Sequence, residues 1–226
     1  MPFIRRTFSP ITGNDPYTTT FPATENPISE GGKWTVGDLN GISVSVGPQT
    51  TGGSPGKAYS SSADGVDYVA TRQGIYTANK HFAQATVRKA AGYTPPDTQE
   101  VELHCGLTLA SNSVFTYECT WGFGLALISY TRWDGTFGNY TPINGSGTGS
   151  NTALADGDVI RFEFDATNSS SIALSSYKNG VLVYSATDTS AGRITSGNPG
   201  FGFFVRNGTG VDLTGYCLTS VTVGSL

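Results

Sequence analysis

The stretch from Gln99 to Gly135, QEVELHCGLTLASNSVFTYECTWGFGLALISYTRWDG, decides the fold class of this 226-residue chain. Polar and apolar residues alternate along its first run, Gln99–Cys105, and two further runs rich in strand-forming residues follow it. Because side chains alternate between the two faces of a β-strand, each run describes a strand with one apolar and one polar face. The stretch therefore predicts a sheet with one side buried and one side polar.

Short runs of the same kind fill the rest of the chain, separated by turns rich in Gly, Pro, Asn and Asp. The clearest are 17–21, 41–46, 68–72, 81–89, 159–165 and 216–223. Asn179-Gly180 between two such runs predicts a tight hairpin. We predict an all-β, two-sheet antiparallel β-sandwich (a jelly roll), with residues 1–16 as an N-terminal arm and 17–226 as a single domain.

Composition narrows the classes of function. The net charge of −4 and the pI near 5.1 argue against nucleic-acid binding, which needs a clustered positive field. No run approaches the ~20 apolar residues of a membrane span, so no membrane insertion is expected. Charged residues are only 13%, and the abundant Ser, Thr and Asn are typical of proteins that work outside a cell.

The first residues, Met1–Arg6, lack the apolar core of a signal peptide. The composition suits a protein that works outside a cell, yet the sequence shows no export signal. Together these features favour synthesis in the cytoplasm and release by lysis as part of a phage virion. Other virion subunits would then be partners.

Three cysteines, Cys105, Cys119 and Cys217, make an odd number. Cys105 and Cys119 lie on the predicted apolar faces of neighbouring strands. A disulfide between them is one alternative, and small buried thiols are the other and the favoured one.

The segment after Asp156 carries a resemblance to a known family. It contains GDVIRF (157–162), then YKNGVLV (177–183), then SGNPGFGFF (196–204). This succession resembles the concanavalin A-like lectin and glucanase superfamily (laminin-G-like jelly rolls), over roughly residues 17–224 and most specifically 99–135 and 156–204. The resemblance implies the fold. It does not select among the lectins, glycan-binding modules, glycosidases, lyases and structural domains that share it.

The alternation along the strands also groups polar side chains on one face, which is a candidate ligand-binding face. We predict that mixed charges and hydroxyls on this face hydrogen-bond sugar hydroxyls, with Trp133 as a contact at the rim. The predicted ligand-binding residues are Gln84, Arg88, Glu102, His104, Glu118, Tyr130, Arg132 and Trp133, and Arg161, Glu163 and Asp165 are placed on the same face. The alternative is a solvent-facing sheet whose charges pair across strands.

An enzyme in this superfamily is the second hypothesis, with Glu100, Glu102, Glu118 and His104 as its catalytic candidates. The superfamily's glucanases carry an acidic triplet of the form E-x-D-x-x-E or E-x-D-x-E. Here His104 stands where the third acid is expected, which disfavours hydrolysis of glycosidic bonds. A polysaccharide lyase using His104, Tyr130, Arg132 and Gln84 is a variant of this hypothesis.

The resemblance also implies a structural calcium ion that ties the early chain to the last strand. By their positions in the chain, the predicted oxygen ligands are Glu25, Asn26 and Asp212.

The leading hypothesis is a non-catalytic, lectin-like module that binds glycan or mediates attachment. A purely structural assembly protein is the third hypothesis.

Overall fold

A computed structural model describes most of the chain. The described residues are 16–38, 52–54, 56–60, 63–72, 79–96, 98–110, 113–122, 128–136, 138–143, 153–206 and 211–226. The predicted N-terminal arm lies outside them except for Pro16, as does the strand predicted at 41–46.

Within the described residues all regular structure is β, and no helix is long and apolar enough to cross a membrane. Alternating, β-branched and aromatic runs dominate the sequence, so extended strands are the local structure they favour. The strands are β1 (Tyr17–Thr19), β2 (Trp34–Asp38), β3 (Gly52–Ser54), β4 (Lys57–Tyr59), β5 (Asp64–Arg72), β6 (Lys80–Lys89), β7 (Gln99–Ala110), β8 (Ser113–Gly122), β9 (Ile128–Gly135), β10 (Tyr140–Ile143), β11 (Val159–Asp165), β12 (Ile172–Lys178), β13 (Val181–Asp188), β14 (Asn198–Arg206) and β15 (Tyr216–Ser225).

The strands form two sheets in which the pairings are antiparallel. The eight-stranded sheet has the order β13-β12-β11-β6-β15-β4-β3, with β1 also paired to β15. The seven-stranded sheet has the order β10-β9-β8-β7-β14-β5-β2. The predicted two-sheet sandwich is confirmed.

The main core lies between the facing sides of the two sheets. Alternate residues of the central strands supply it, including Phe162 and Phe164 on β11 and Leu103 on β7, all fully buried. The strict alternation that the sequence shows in 159–165 is the alternation of burial along β11. Burial of these side chains is the main source of the fold's stability.

The three cysteines are free and buried, as the favoured alternative predicted. Cys105 Sγ lies 3.7 Å from the Phe162 carbonyl oxygen, and Cys119 Sγ lies 3.1 Å from Ser176 Oγ. Cys105 and Cys119 therefore contact the opposite sheet and act as small core residues.

A β-bulge interrupts β7 between Cys105 and Thr108, where Gly106 has a left-handed φ of 66°. The extra residue shifts the alternation, so Leu107 and Leu109 leave the main core. They join Val69, Val114 and Trp133 in a second, smaller apolar cluster on the outward side of the seven-stranded sheet. The sequence pattern alone did not predict this second cluster.

Candidate functional site

The residues of the predicted ligand-binding face are divided among three places. Gln84 and Arg88 lie on the outward side of β6, in the eight-stranded sheet. Glu102, His104 and Glu118 lie on the outward side of β7 and β8, in the seven-stranded sheet. The two groups lie on opposite outer faces of the sandwich, so the prediction of one shared polar face is wrong.

Tyr130 and Arg132 point into the interior between the sheets. Tyr130 Oη donates to Ser176 Oγ at 2.8 Å. Arg132 is buried and pairs with Asp188 across the sheets at 2.7 Å and with Asp134 on its own strand at 2.6 Å. These side chains satisfy one another's hydrogen-bonding groups, and within the described residues they form a polar bridge between the two sheets.

Trp133 lies on the outward side of β9, opposite Thr116 in register. Its Nε1 donates to Glu118 Oε2 at 2.6 Å, and its ring is 5.4 Å from that of the exposed Tyr140. Trp121 belongs to the main core, whereas Trp133 belongs to the second, outward cluster.

The outward face of the seven-stranded sheet holds a cluster of ionisable side chains, which we call the acid–histidine cluster. Glu102 Oε2 lies 3.1 Å from His104 Nε2, and both side chains are fully buried. Glu118 stands directly opposite His104 in register, and its Oε1 accepts a 2.6 Å hydrogen bond from Thr120. The members of the cluster are Asp67, Glu100, Glu102, His104 and Glu118.

Burial and crowding shift the pKa values of the acid–histidine cluster. Burial and the Glu118 carboxylate raise the pKa of Glu100 to about 8. Burial and the surrounding carboxylates raise the pKa of Glu102 well above its usual range. Burial lowers the pKa of His104 to about 3. The desolvated cluster therefore favours protonated carboxyl groups and a neutral imidazole.

Glu102 and Glu118 bring carboxyl oxygens within 4.8 Å of each other, near the ~5–5.5 Å separation of retaining glycosidases. However, both oxygens of Glu118 already accept short hydrogen bonds, from Thr120 and Trp133. The fully buried Glu102 also offers no surface to a polysaccharide. The arrangement suits a packed, ordered cluster better than a substrate-binding cleft.

A shallow depression of about 240 Å³ lies on the outward face of the eight-stranded sheet. Its lining combines amide, guanidinium, carboxylate and phenol groups. The lining residues are Gln84, Val159, Arg161, Glu163, Tyr177 and Gly180.

Arg161 is the cationic side chain in the lining of this depression. Its guanidinium lies 3.6 Å from the centre of the Phe82 ring, and its Nε donates to Glu163 Oε1 at 2.6 Å. The side chains of Arg161 and Glu163 keep 25% and 22% of their exposure, so ligands can reach both. Register places Gln84 and Tyr177 on either side of Arg161. Stacking on Phe82 fixes the guanidinium plane and leaves its remaining N–H groups free to donate.

The residues predicted to bind calcium are held in local turns. The Glu25 carboxylate accepts 2.7 Å hydrogen bonds from the backbone N–H groups of Ser29 and Glu30. The Asp212 carboxylate accepts from Thr214. Asn26 precedes a cis peptide bond to Pro27. Calcium binding by this set stays a prediction.

His81 and Trp34 are buried and pack against aromatic rings of the core. His81 is buried and stacks on Phe164 at 4.7 Å, while its Nε2 accepts from Gly106 N at 2.9 Å. Trp34 packs edge-on against Phe201 at 5.0 Å. These rings are structural.

Sequence reasoning missed two contributors, Asp67 and Tyr177. Asp67 shares an outward face with Val69 on β5, but the predicted strand began at Tyr68, four residues after the start of β5 at Asp64. Tyr177 precedes the Asn179-Gly180 turn, and its alternation with Ser175 was the signal that could have placed it beside Arg161.

The two antiparallel sheets packed face to face define a concanavalin A-like jelly roll, the architecture that the sequence resembles. Three solved structures share it. The carbohydrate-binding module CBM66 from Bacillus subtilis is 13% identical, and the match covers 85% of this chain and 96% of that one with a TM-score of 0.53. A mutant Emp46p carbohydrate recognition domain is 10% identical, with 92% and 95% of the two chains covered and a TM-score of 0.56. The VIP36 exoplasmic/lumenal domain in its Ca²⁺/Man3GlcNAc-bound form is 8% identical, with 93% and 90% covered and a TM-score of 0.52.

At these identities the likeness shows the fold alone. No family model matches the chain, and no curated protein sequence matches it.

Proposed function

We propose that this chain is a non-catalytic, lectin-like jelly roll that binds glycan through the depression around Arg161. One observation carries the proposal: the depression presents donors and acceptors to solvent beside an aromatic side chain. Sugar hydroxyls need paired donors and acceptors, and the apolar face of a sugar ring packs on an aromatic ring. Solved domains of the same fold that are described as carbohydrate-binding support this proposal.

The size of the depression sets the expected affinity. At about 240 Å³ it is smaller than the ~300–1,000 Å³ of typical ligand pockets, so one site contacts only part of a glycan. A dissociation constant on the order of 1 mM per site is expected, and useful attachment then needs several copies acting together.

A glycan array probed with multimerised protein tests the proposal. Retention on a defined set of glycans, lost when the protein is monomeric, is the expected result. No retention on any glycan contradicts it and favours the structural assembly protein. Soluble products from a polysaccharide panel, abolished by Glu102→Gln, would favour the hydrolase or lyase.

We further propose that the protein acts outside the cell as a virion surface, decoration or fibre-associated component. Its composition supports this, since only 13% of its residues are charged and Ser, Thr and Asn are frequent. Mass spectrometry of purified particles produced by cells that carry the gene tests it. Finding the chain in the particles is expected, and particles that lack it contradict this role.

A further inference from the structure

Three side chains of the acid–histidine cluster converge on one point. Glu102 and His104 extend from the same face of β7, and Glu118 extends from β8 directly opposite His104. One ligand atom from each of the three lies within 4.8 Å of the others. All three side chains are buried, so their positions are set by the packing of the sheet.

Glu102 has an unsatisfied atom at this point. Its Oε1 is buried and has no hydrogen-bond partner among the described residues, although Oε2 lies beside His104 Nε2. A buried carboxylate oxygen without a donor is costly, and such atoms in native structures call for an explanation such as an ion.

The neighbouring strand leaves room for this arrangement. Gly202 on β14 lies opposite Glu102, and a Cβ atom there would lie 2.7 Å from both Glu102 Oε2 and His104 Nε2. Because glycine has no side chain, the Glu102 carboxylate and the His104 imidazole can lie close to the β14 backbone.

We propose that Glu102, His104 and Glu118 bind a divalent transition-metal ion, with Zn²⁺ as the probe. One imidazole nitrogen and two carboxylate oxygens suit Zn²⁺ or Mn²⁺. Ca²⁺ prefers an all-oxygen shell of six to eight ligands, which this set does not supply. The site lies on the opposite outer face from the glycan depression, so the two proposals fail independently.

The groups around the three ligands are arranged as outer partners of a metal site. Thr120 Oγ1 and Trp133 Nε1 each donate to one oxygen of Glu118 at 2.6 Å. Thr116 Oγ1 lies 3.5 Å from His104 Nδ1, which leaves Nε2 facing Glu102. Such hydrogen bonds orient ligating side chains and tune their basicity.

The local charge also favours a cation. Asp67 and Glu100 add two further carboxyl groups to the cluster. A divalent cation bound among these acids would offset their mutual repulsion.

Isothermal titration with Zn²⁺, Mn²⁺ and Ca²⁺ tests the proposal, with each ion added to the folded chain and, separately, during refolding. One Zn²⁺ per chain and no comparable Ca²⁺ binding are expected. Glu102→Gln and His104→Gln should each weaken Zn²⁺ binding by more than about tenfold, and Thr120→Ala by about 10–100-fold through loss of an outer hydrogen bond. Glu100→Gln replaces a carboxyl group on the same strand face but removes no ligand, so its effect should be smaller than any of these.

Two results would overturn the site. One is a wild-type chain that binds neither Zn²⁺ nor Mn²⁺ under either condition. The other is Zn²⁺ binding unchanged in folded Glu102→Gln and His104→Gln variants. If those variants fail to fold, Co²⁺ added to the wild type decides. Strong visible absorption from a low-coordinate site with nitrogen supports the proposal, and the spectrum of aqueous Co²⁺ contradicts it.

Discussion

Gly202 shows how closely the acid–histidine cluster is packed at the scale of single residues. Gly202→Ala places a methyl group 2.7 Å from two side-chain atoms and from the Tyr68 carbonyl oxygen, which belongs to the backbone and cannot move aside. We expect a loss of about 2–3 kcal/mol in the free energy of unfolding, measured by urea denaturation.

Gly122→Ala is the matched control on the same sheet face. Its added Cβ meets Glu100 only at 3.7 Å, an ordinary contact. Its expected effect is within about 0.5 kcal/mol of zero. Equal losses for the two variants would contradict the close approach at Gly202.

Asp188 supports the polar bridge between the sheets. It accepts a 2.6 Å hydrogen bond from Tyr117 and pairs with the buried Arg132. Asp188→Asn leaves Arg132 with Asp134 as its one charged partner among the described residues, so we expect a loss of about 3 kcal/mol at pH 7. Asp165→Asn, which breaks the exposed Lys80–Asp165 pair, should cost less than about 1 kcal/mol.

The Asp188 effect should depend on pH. Burial acts to raise the pKa of Asp188, but hydrogen bonds from Ser190, Tyr117 and Arg132 outweigh it and the net shift is downward. A carboxyl group with a lowered folded-state pKa contributes stability above its usual pKa of about 4 and loses it as the pH falls further. Urea unfolding at pH 7 and pH 3 should show the gap between wild type and Asp188→Asn narrowing at pH 3. An unchanged gap would exclude this role for the charge.

The β12–β13 hairpin is the element that the sequence predicted most directly. Asn179 and Gly180 have left-handed φ values of 52° and 79°, which a two-residue type I′ turn requires. The Asn179 side chain also donates to Asp158 and accepts from Val159 N, which ties the turn to the start of β11.

Asn179→Ala removes both the tolerance for a left-handed backbone and the two side-chain hydrogen bonds. We expect it to cost about 2 kcal/mol, against about 1 kcal/mol for Asn179→Gly, which keeps the backbone conformation. Thermal and urea unfolding of both variants measure the difference. A glycine variant as unstable as the alanine variant would show that the turn conformation contributes little.

Within single strands, alternation predicted the structure well. The burial pattern of β11 followed directly from the sequence. At the start of β7 the two faces alternate as predicted, but Glu102 and His104 on the outward face are buried. The prediction failed beyond the bulge at Gly106, because one extra residue reverses the faces without changing composition. It failed again on β9, where Tyr130 and Arg132 face inward.

At the scale of the whole molecule, strand pairing decides which residues form a site. The consecutive strands β6 and β7 belong to different sheets, so Gln84 and Glu102 lie on opposite outer faces. Alternation assigns faces within a strand but does not show which sheet the strand joins. The fold and the shared face of Gln84 and Arg161 were therefore predictable from sequence, while separating them from Glu102 and placing Tyr177 beside Arg161 needed the three-dimensional strand pairing.

The two outer faces differ in what they can do. One presents partly exposed hydrogen-bonding groups around Arg161, and the other encloses a buried acid–histidine cluster. This division separates a ligand-binding surface from a site suited to an ion. Each face can therefore be tested with its own variants and controls.

The most direct test of glycan binding at the Arg161 depression is a comparison of three proteins on the glycan that the array identifies. Equilibrium binding is measured for the wild type, Arg161→Ala and Lys80→Ala. Lys80 carries the same charge on the same sheet, in an exposed ion pair with Asp165 outside the depression. We predict that Arg161→Ala weakens binding by about tenfold or more, equivalent to ~1.4 kcal/mol, while Lys80→Ala binds like the wild type. Equal binding by Arg161→Ala and the wild type would contradict the proposed site.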